Sequence, residues 1–281
     1  NLLSIMEVYE HAVSGGADLV IGPLKKSFVS ELQKKGELPV DTLALNYADS
    51  LNSSNNLFQF GLAPQDEIIE VANLAWENGH RTASILMPES GDYQELQEFF
   101  EQTWTNKGGR IASKVNFQEN ANYAEIVKRL VAIDGSELRS EKLLNLLPRR
   151  NMEFVPRRRN DIDFIFLVAD PDAGRQIKPT LAFYFAENIP VYSIPSIYEG
   201  NYNPSSNSDL DGITFVDSPW ILRPGDIQSR PADNLRQASG PLQRLRAMGV
   251  DSFRLYPRLR QFSSGNITLL RGTTGQIFMN E

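Results

Sequence analysis

The sequence predicts an α/β protein of two Rossmann-like lobes, each built on a parallel sheet, with a cleft between them. Three observations carry this. Short apolar segments such as Leu19-Val20-Ile21 and Phe164-Ile165-Phe166-Leu167 alternate with amphipathic segments, the pattern of repeated β-α-β units. Those apolar segments stop at turn formers, Gly22-Pro23, Pro88-Glu89-Ser90-Gly91 and Asp170-Pro171. Such turns fall at strand carboxyl ends, where open α/β sheets hold ligands. The strands also form two groups, 18–60 and 82–216, followed by a helical last quarter that one simple sheet does not explain. Lobe one is therefore assigned to 1–61 plus 219–281 and lobe two to 62–218, with an insertion at 134–160.

Taken in order, a helix over 2–14 precedes strand 18–21. That strand is apolar enough to be buried on both faces, as a parallel sheet requires. Helix 25–36, strand 40–45 and strand 57–60 follow. Asp66 and Glu67 suit the first turn of the next helix, which Gly79 ends. Strand 82–87 leads to helix 93–106, where Leu96, Phe99, Phe100, Thr103 and Trp104 recur at helical spacing until Gly108-Gly109. Strand 110–117 and helix 122–133 continue the rhythm. It breaks over 134–160, a leucine-rich helix at 137–147 and an arginine-rich tail. Strand 162–168, helix 173–188 and strands 190–194 and 212–216 resume it. Helices 233–247 and 250–262 follow, kinked or split at Gly240-Pro241 and Pro257. Strand 267–270 and a Gly272–Phe278 hairpin close the chain.

Composition excludes several functions. With 41% hydrophobic and 22% charged residues over 281 positions, the chain is an ordinary globular one, long enough for two lobes. A net charge of −7 provides no basic surface for nucleic acid. No apolar run approaches the roughly 20 residues of a membrane span. With no cysteine, disulfides, thiolate metal sites and cysteine nucleophiles are excluded, and two histidines, His11 and His80, leave little for a catalytic triad. No Gly-x-Ser-x-Gly, His-Glu-x-x-His or phosphate-loop lysine occurs, and no cofactor is expected.

The order of elements, with Gly22-Pro23, Phe60-Gly61 and the Gly-Thr-Thr-Gly-Gln-Ile-Phe hairpin, resembles the type I periplasmic binding-protein fold. The first β-α-β unit of that fold has no counterpart in this chain. Four blocks narrow the resemblance: Asp18 to Leu24, Leu43 to Asn46, Phe58 to Glu67, and Ala247-Met248-Gly249-Val250-Asp251. Together they are similar to the LpoA family, outer-membrane lipoproteins that activate a class A penicillin-binding protein. The resemblance implies a C-terminal domain that is not an enzyme and takes part in peptidoglycan synthesis. It implies a periplasmic location, with membrane attachment only through an upstream lipid anchor on the inner face of the outer membrane.

If a cleft is present, strand-end residues line it: Gly22, Asn46, Tyr47, Glu89, Asp92, Asp170, Tyr198, Asp217 and Trp220. Asn46, Asp92 and Asp170 read equally as turn and cap residues. Tyr47, Tyr198 and Trp220 read either as rim aromatics or as packing groups. Amino-acid binders of this fold hold the ligand between small hydroxyl residues and a glutamate after a proline. Here those places read Asn46-Tyr47-Ala48-Asp49 and Pro195-Ser196, so both ends of the clamp are changed. The alternative readings are a solute-binding or sensing protein, and a hydrolase using Glu89 or Asp92. Arg149, Arg150, Arg157, Arg158 and Arg159 form either a docking patch for an acidic partner or a solvated insertion.

Overall fold

The computed structural model describes residues 4–50, 54–118, 121–146, 154–201, 203–223, 240–262 and 269–278. The chain divides into two compact units, Asn1–Ala63 with Ser218–Glu281, and Pro64–Asp217.

The first unit opens with α1 (Ile5–Ser14), whose start is fixed by a capping box: Glu7 N–H donates to Ser4 Oγ at 3.2 Å and Ser4 N–H to Glu7 Oε2 at 2.8 Å. Then come β1 (Leu19–Ile21), α2 (Lys26–Lys34), β2 (Asp41–Ala44) and β3 (Leu57–Gln59), the strands paired in parallel in the order β1-β2-β3. The sequence reading of β1 as a strand buried on both sides is corrected here. Among the described residues β1 has one strand neighbour, β2, and lies at the sheet edge, and Ile21 is 47% exposed.

The second unit runs α3 (Pro64–Glu77), β4 (Thr82–Pro88), α4 (Gly91–Asn106), β5 (Arg110–Phe117), α5 (Tyr123–Leu130), α6 (Ile133–Leu146), β6 (Phe164–Leu167), α7 (Pro171–Phe183), β7 (Val191–Ser193), α8 (Pro204–Asn207) and β8 (Ile213–Phe215). Its sheet is wholly parallel, in the order β5-β4-β6-β7-β8. Alternate residues of β6 serve opposite faces. Phe164 and Phe166 join Ile85, Met87, Phe100 and Trp104 beneath α3 and α4, while Ile165 and Leu167 join Leu86, Val127, Leu130 and Ile177 beneath α5 and α7. Phe100 stacks on Phe166 with centroids 4.0 Å apart, and Trp104 meets Phe164 edge-on at 4.9 Å.

Element ends follow local chemistry. Helix α3 stops in a Schellman motif: Gly79, at φ +88°, donates to Trp76 O, and His80 N–H donates to Ala75 O. The helix expected over 122–133 ends at Leu130, because Ala132 takes a left-handed φ of +57° before α6 begins. The two glycines after α4 differ in purpose. Gly108 supplies a φ of +90°, whereas Gly109 supplies space, since a Cβ there would lie 2.2 Å from Trp104 Nε1.

The chain returns to the first unit through α9 (Pro219–Leu222), α10 (Pro241–Leu255), α11 (Leu259–Phe262), β9 (Leu270–Arg271) and β10 (Gln276–Ile277). The break expected near 247–250 is absent, because α10 runs unbroken through Gly249. Gly240-Pro241 starts α10: proline at the first helical position lacks only an N–H that would have no partner there, and the part of the expected helix before 240 lies outside the described residues. Pro257 does end the regular helix, in a 3₁₀ turn at 256–258. Met248, Leu255 and Leu259 cover Leu43 and Phe60 on one side of the small sheet, and Tyr9, Leu32 and Leu38 pack with Val20 and Leu57.

Asp251 fastens this return. Its carboxylate is fully buried and accepts from Thr273 N–H (2.8 Å), Thr274 N–H (2.7 Å) and Thr274 Oγ1 (2.8 Å), while Thr273 Oγ1 donates to Ala247 O at 2.8 Å. Gly272 is required beside it, since a Cβ there would lie 2.4 Å from Asp251 Oδ2.

Two outcomes follow. Asp251→Ala leaves two amide donors of the β9–β10 turn without their acceptor and is expected to lower stability by about 3 kcal/mol or more in denaturant titration. Gly109→Ala forces the Trp104 ring out of a filled core and is expected to cost about 1–3 kcal/mol, with a changed near-ultraviolet circular dichroism band from that indole.

Candidate functional site

In the second unit β4 pairs with β5 on one side and with β6 on the other, so the strand order reverses between β4 and β6 and the carboxyl ends of these two strands mark its topological switch point. Helices α4 and α7 both begin there, directing their N-terminal N–H groups at the same region. Anions would be favoured at such ends. Here the chain's own carboxylates occupy them. Asp170 is the N-cap of α7 and accepts from Ala173 N–H at 2.7 Å, and Asp92 lies in the first turn of α4. Asp172 pairs with Arg175 at 2.7 Å. Both carboxylates of the Asp170-Pro171-Asp172 turn therefore have protein partners, and among the described residues no group of three or more potential ligands is placed to hold a metal.

Ser196 follows Pro195 at the end of β7, where the resemblance would put a ligand-binding glutamate. Its hydroxyl donates to Ala169 O at 2.9 Å and serves the backbone. Tyr198 lies against Phe215 with centroids 5.3 Å apart, half-buried beside the core of its own unit. Asp217 is the last residue of this unit. Sequence reasoning missed Arg175, whose guanidinium also donates to Ser206 O at 2.7 Å and meets Glu199 at 3.2 Å, tying the 198–207 loop to α7. The signal available was its spacing of three from Asp172 on a helix.

Glu89 lies apart from Asp170. It follows β4 on the side of edge strand β5, where its N–H donates to Phe117 O at 2.7 Å and its carboxylate accepts from Gln118 Nε2 at 3.3 Å. With Asn116, Gln118, Asn122, Glu125 and Arg129 it lines an open cavity of about 510 Å³. Apart from Glu89 none of these was singled out from sequence. The rule that strand carboxyl ends carry ligands applies to β5 as well and would have found them.

In the first unit Gly22, at φ +122°, ends β1 and donates to Leu43 O at 2.8 Å. Asn46 acts on its own loop: Nδ2 donates to Leu24 O at 2.9 Å and Oδ1 accepts from Tyr47 N–H at 2.9 Å. Tyr47 is partly exposed and passes close to Gly61, where a Cβ would lie 3.2 Å from its ring. Asp49 is held to α2. Ser30 Oγ donates to it at 2.8 Å and Lys26 lies 3.1 Å away, and these two groups, the serine hydrogen bond foremost, hold its carboxyl below the usual carboxylate range. Trp220 is placed in the core of the first unit, not on a rim. It is 2% exposed, packs on Ala247, and its indole N–H donates to Gln243 Oε1 at 2.8 Å.

The arginines separate into three kinds. Arg149 and Arg150 lie outside the described residues. Arg159 grips Asp161 with two bonds of 2.7 Å and donates to Ala112 O, so its charge is met within the molecule. Arg158 donates from Nε to Phe185 O at 2.8 Å and from Nη1 to Arg159 O at 2.9 Å, and Arg157 donates its backbone N–H to Ser136 Oγ. His80 is a core-edge residue rather than a partner of the α3 dipole. Burial, foremost, holds its pKa below the usual histidine value, and Nε2 lies 3.2 Å from the Tyr192 hydroxyl.

Comparison with known proteins places these features. A protein of Photobacterium profundum named penicillin-binding protein activator LpoA is 28% identical over 267 residues, covering 94% of this chain and 43% of that protein. A protein of Erwinia tasmaniensis with the same name is 25% identical over 99% of this chain and 43% of its own length. The chain thus spans less than half the length of these curated relatives. The solved C-domain of Haemophilus influenzae LpoA (YraM), described as a regulator of PBP1A, superposes with a TM-score of 0.73 at 20% identity over 99% of this chain and 80% of that one. A putative branched-chain amino acid ABC transporter structure from Chromobacterium violaceum shares the fold at 23% identity and a TM-score of 0.68, covering 98% and 79%. The family described as LppC putative lipoprotein matches residues 1–281, and the chain belongs to it.

Proposed function

We propose that this chain is the binding-protein-like domain of a periplasmic lipoprotein that binds and activates a class A penicillin-binding protein. In this reading it catalyses no reaction itself, and the lipid anchor, outside this chain, attaches the whole protein to the outer membrane. The observation that carries the reading is the match along 94% of the chain to a protein named as such an activator. The geometry supports it. Asp170, Ser196 and Asn46, at positions where a solute binder would present groups to a ligand, are engaged with the chain's own backbone. Activation then acts through differential binding: the domain binds the active conformation of the synthase more tightly and shifts its population.

The cavity of about 510 Å³ beside Glu89 favours a second reading, a sensor of a small polar solute, since its size lies in the range of small-molecule sites. Two measurements separate the readings. Full-length protein added to the purified synthase of the same organism is expected to raise glycan polymerisation or crosslinking, and to show no turnover of peptidoglycan fragments alone. A synthase rate unchanged at saturating protein overturns the first reading. In a thermal-shift screen with amino acids and muropeptides, a true ligand at one hundred times its dissociation constant stabilises by about 2.7 kcal/mol. The first reading expects no shift.

A further inference from the structure

The C-terminus of α7 carries a feature that neither the fold nor the switch point uses. The helix ends in a Schellman arrangement, with Phe185 N–H donating to Ala182 O and Ala186 N–H to Leu181 O. The residue in the left-handed position, φ +60°, is Phe185, where glycine is the usual occupant. Its ring does not explain its presence by packing, because Phe185 is 59% exposed and Phe183 beside it is 75% exposed. Arg158 is bonded to this turn through Phe185 O. Arg158 and Arg157 have no carboxylate within ion-pairing distance among the described residues, and neighbouring Glu187 is paired with neither. Phe154 and Val155, a few residues before Arg157 in the chain, are exposed as well.

We infer that Phe183 and Phe185, flanked by Arg157 and Arg158, are a docking surface for a partner protein that presents carboxylates around an apolar centre. Resting on the function proposed above, that partner is the synthase. The charge argument selects it. Two guanidinium groups without counter-charges among the described residues, in a chain of net charge −7, complement an acidic face and not a second copy's equivalent patch. Exposed aromatic rings beside arginines are also the composition of binding hot spots. A left-handed phenylalanine sacrifices stability at a site where glycine is free, which fits a side chain kept for a contact outside the chain.

The test measures binding of the full-length protein to the periplasmic region of the synthase by biolayer interferometry at low and high salt, with melting and sedimentation of each variant. Phe185→Gly is expected to leave the fold intact or raise the melting midpoint by about 2–4 °C, yet to weaken binding. Combined with Phe183→Ser the loss is expected to reach at least about tenfold. Arg157→Glu, at a position whose arginine side chain bonds nothing among the described residues, is expected to weaken binding most at low salt. Wild type that binds while all three variants bind equally well overturns the docking surface and leaves the proposed function standing. Wild type that does not bind overturns both. Variants that dissolve a dimer instead of weakening synthase binding assign the surface to self-association and overturn the inference.

Discussion

The buried carboxylate of Asp251 is the constraint on which the first unit depends. A three-stranded parallel sheet cannot bury both faces with the helices that lie between its strands, since α1 and α2 serve only one side. The other face is covered by α10, which arrives after the whole second unit has been made. Loop closure over that separation is entropically unfavourable, so the returning segment needs a specific anchor. Arg260 Nε, donating to Asp41 Oδ2 at 2.8 Å, is a bond from that segment to β2, and Asp251 holds the segment itself together by fixing the β9–β10 turn onto α10, while the Thr273 carbonyl accepts from Trp220 N–H at 3.0 Å and joins α9 to the same network. The charge is tolerable in a buried place because three donors converge on it and Arg254 lies 3.7 Å away.

This network gives physical content to two sequence blocks that were visible only as family marks. Ala247 to Asp251 and the Gly-Thr-Thr-Gly turn lie about 25 residues apart in the chain, yet they are two halves of one contact. Much of the fold was legible for simpler reasons. β5 was placed at 110–117 because a glycine pair precedes it, whereas α7 starts at Pro171, two residues before the expected 173, with Asp170 as its N-cap. What was not legible required tertiary knowledge. The edge position of β1 depends on which strands pair, not on its own apolar residues. The continuity of α10 through Gly249 reflects burial of Met248 and Ser252 on either side, which outweighs the weak helix preference of glycine.

The candidate site shows the same division. Cap chemistry identified Asp170 correctly as a group that ends a helix, because aspartate before Pro171 has few other uses. The fate of Trp220 was not readable, since an indole beside a proline suits a rim and a core equally until Gln243 appears opposite its N–H. The arginine cluster was readable as charge but not as chemistry. Only the three-dimensional placement separates Arg159, spent on Asp161, from Arg158, which is held by two carbonyls and meets no carboxylate among the described residues.

The two ends of the second unit therefore differ in kind. At the carboxyl ends of β6 and β7, Asp170 caps its own helix and Ser196 donates to Ala169 O, so a ligand arriving at either would have to break a bond the protein already makes. At the tip of α7 the rings of Phe183 and Phe185 are exposed, and Arg157 and Arg158 meet no carboxylate among the described residues. Exposed apolar surface gains when a complementary surface excludes water from it, and carboxylates opposite the guanidinium groups offset their loss of hydration.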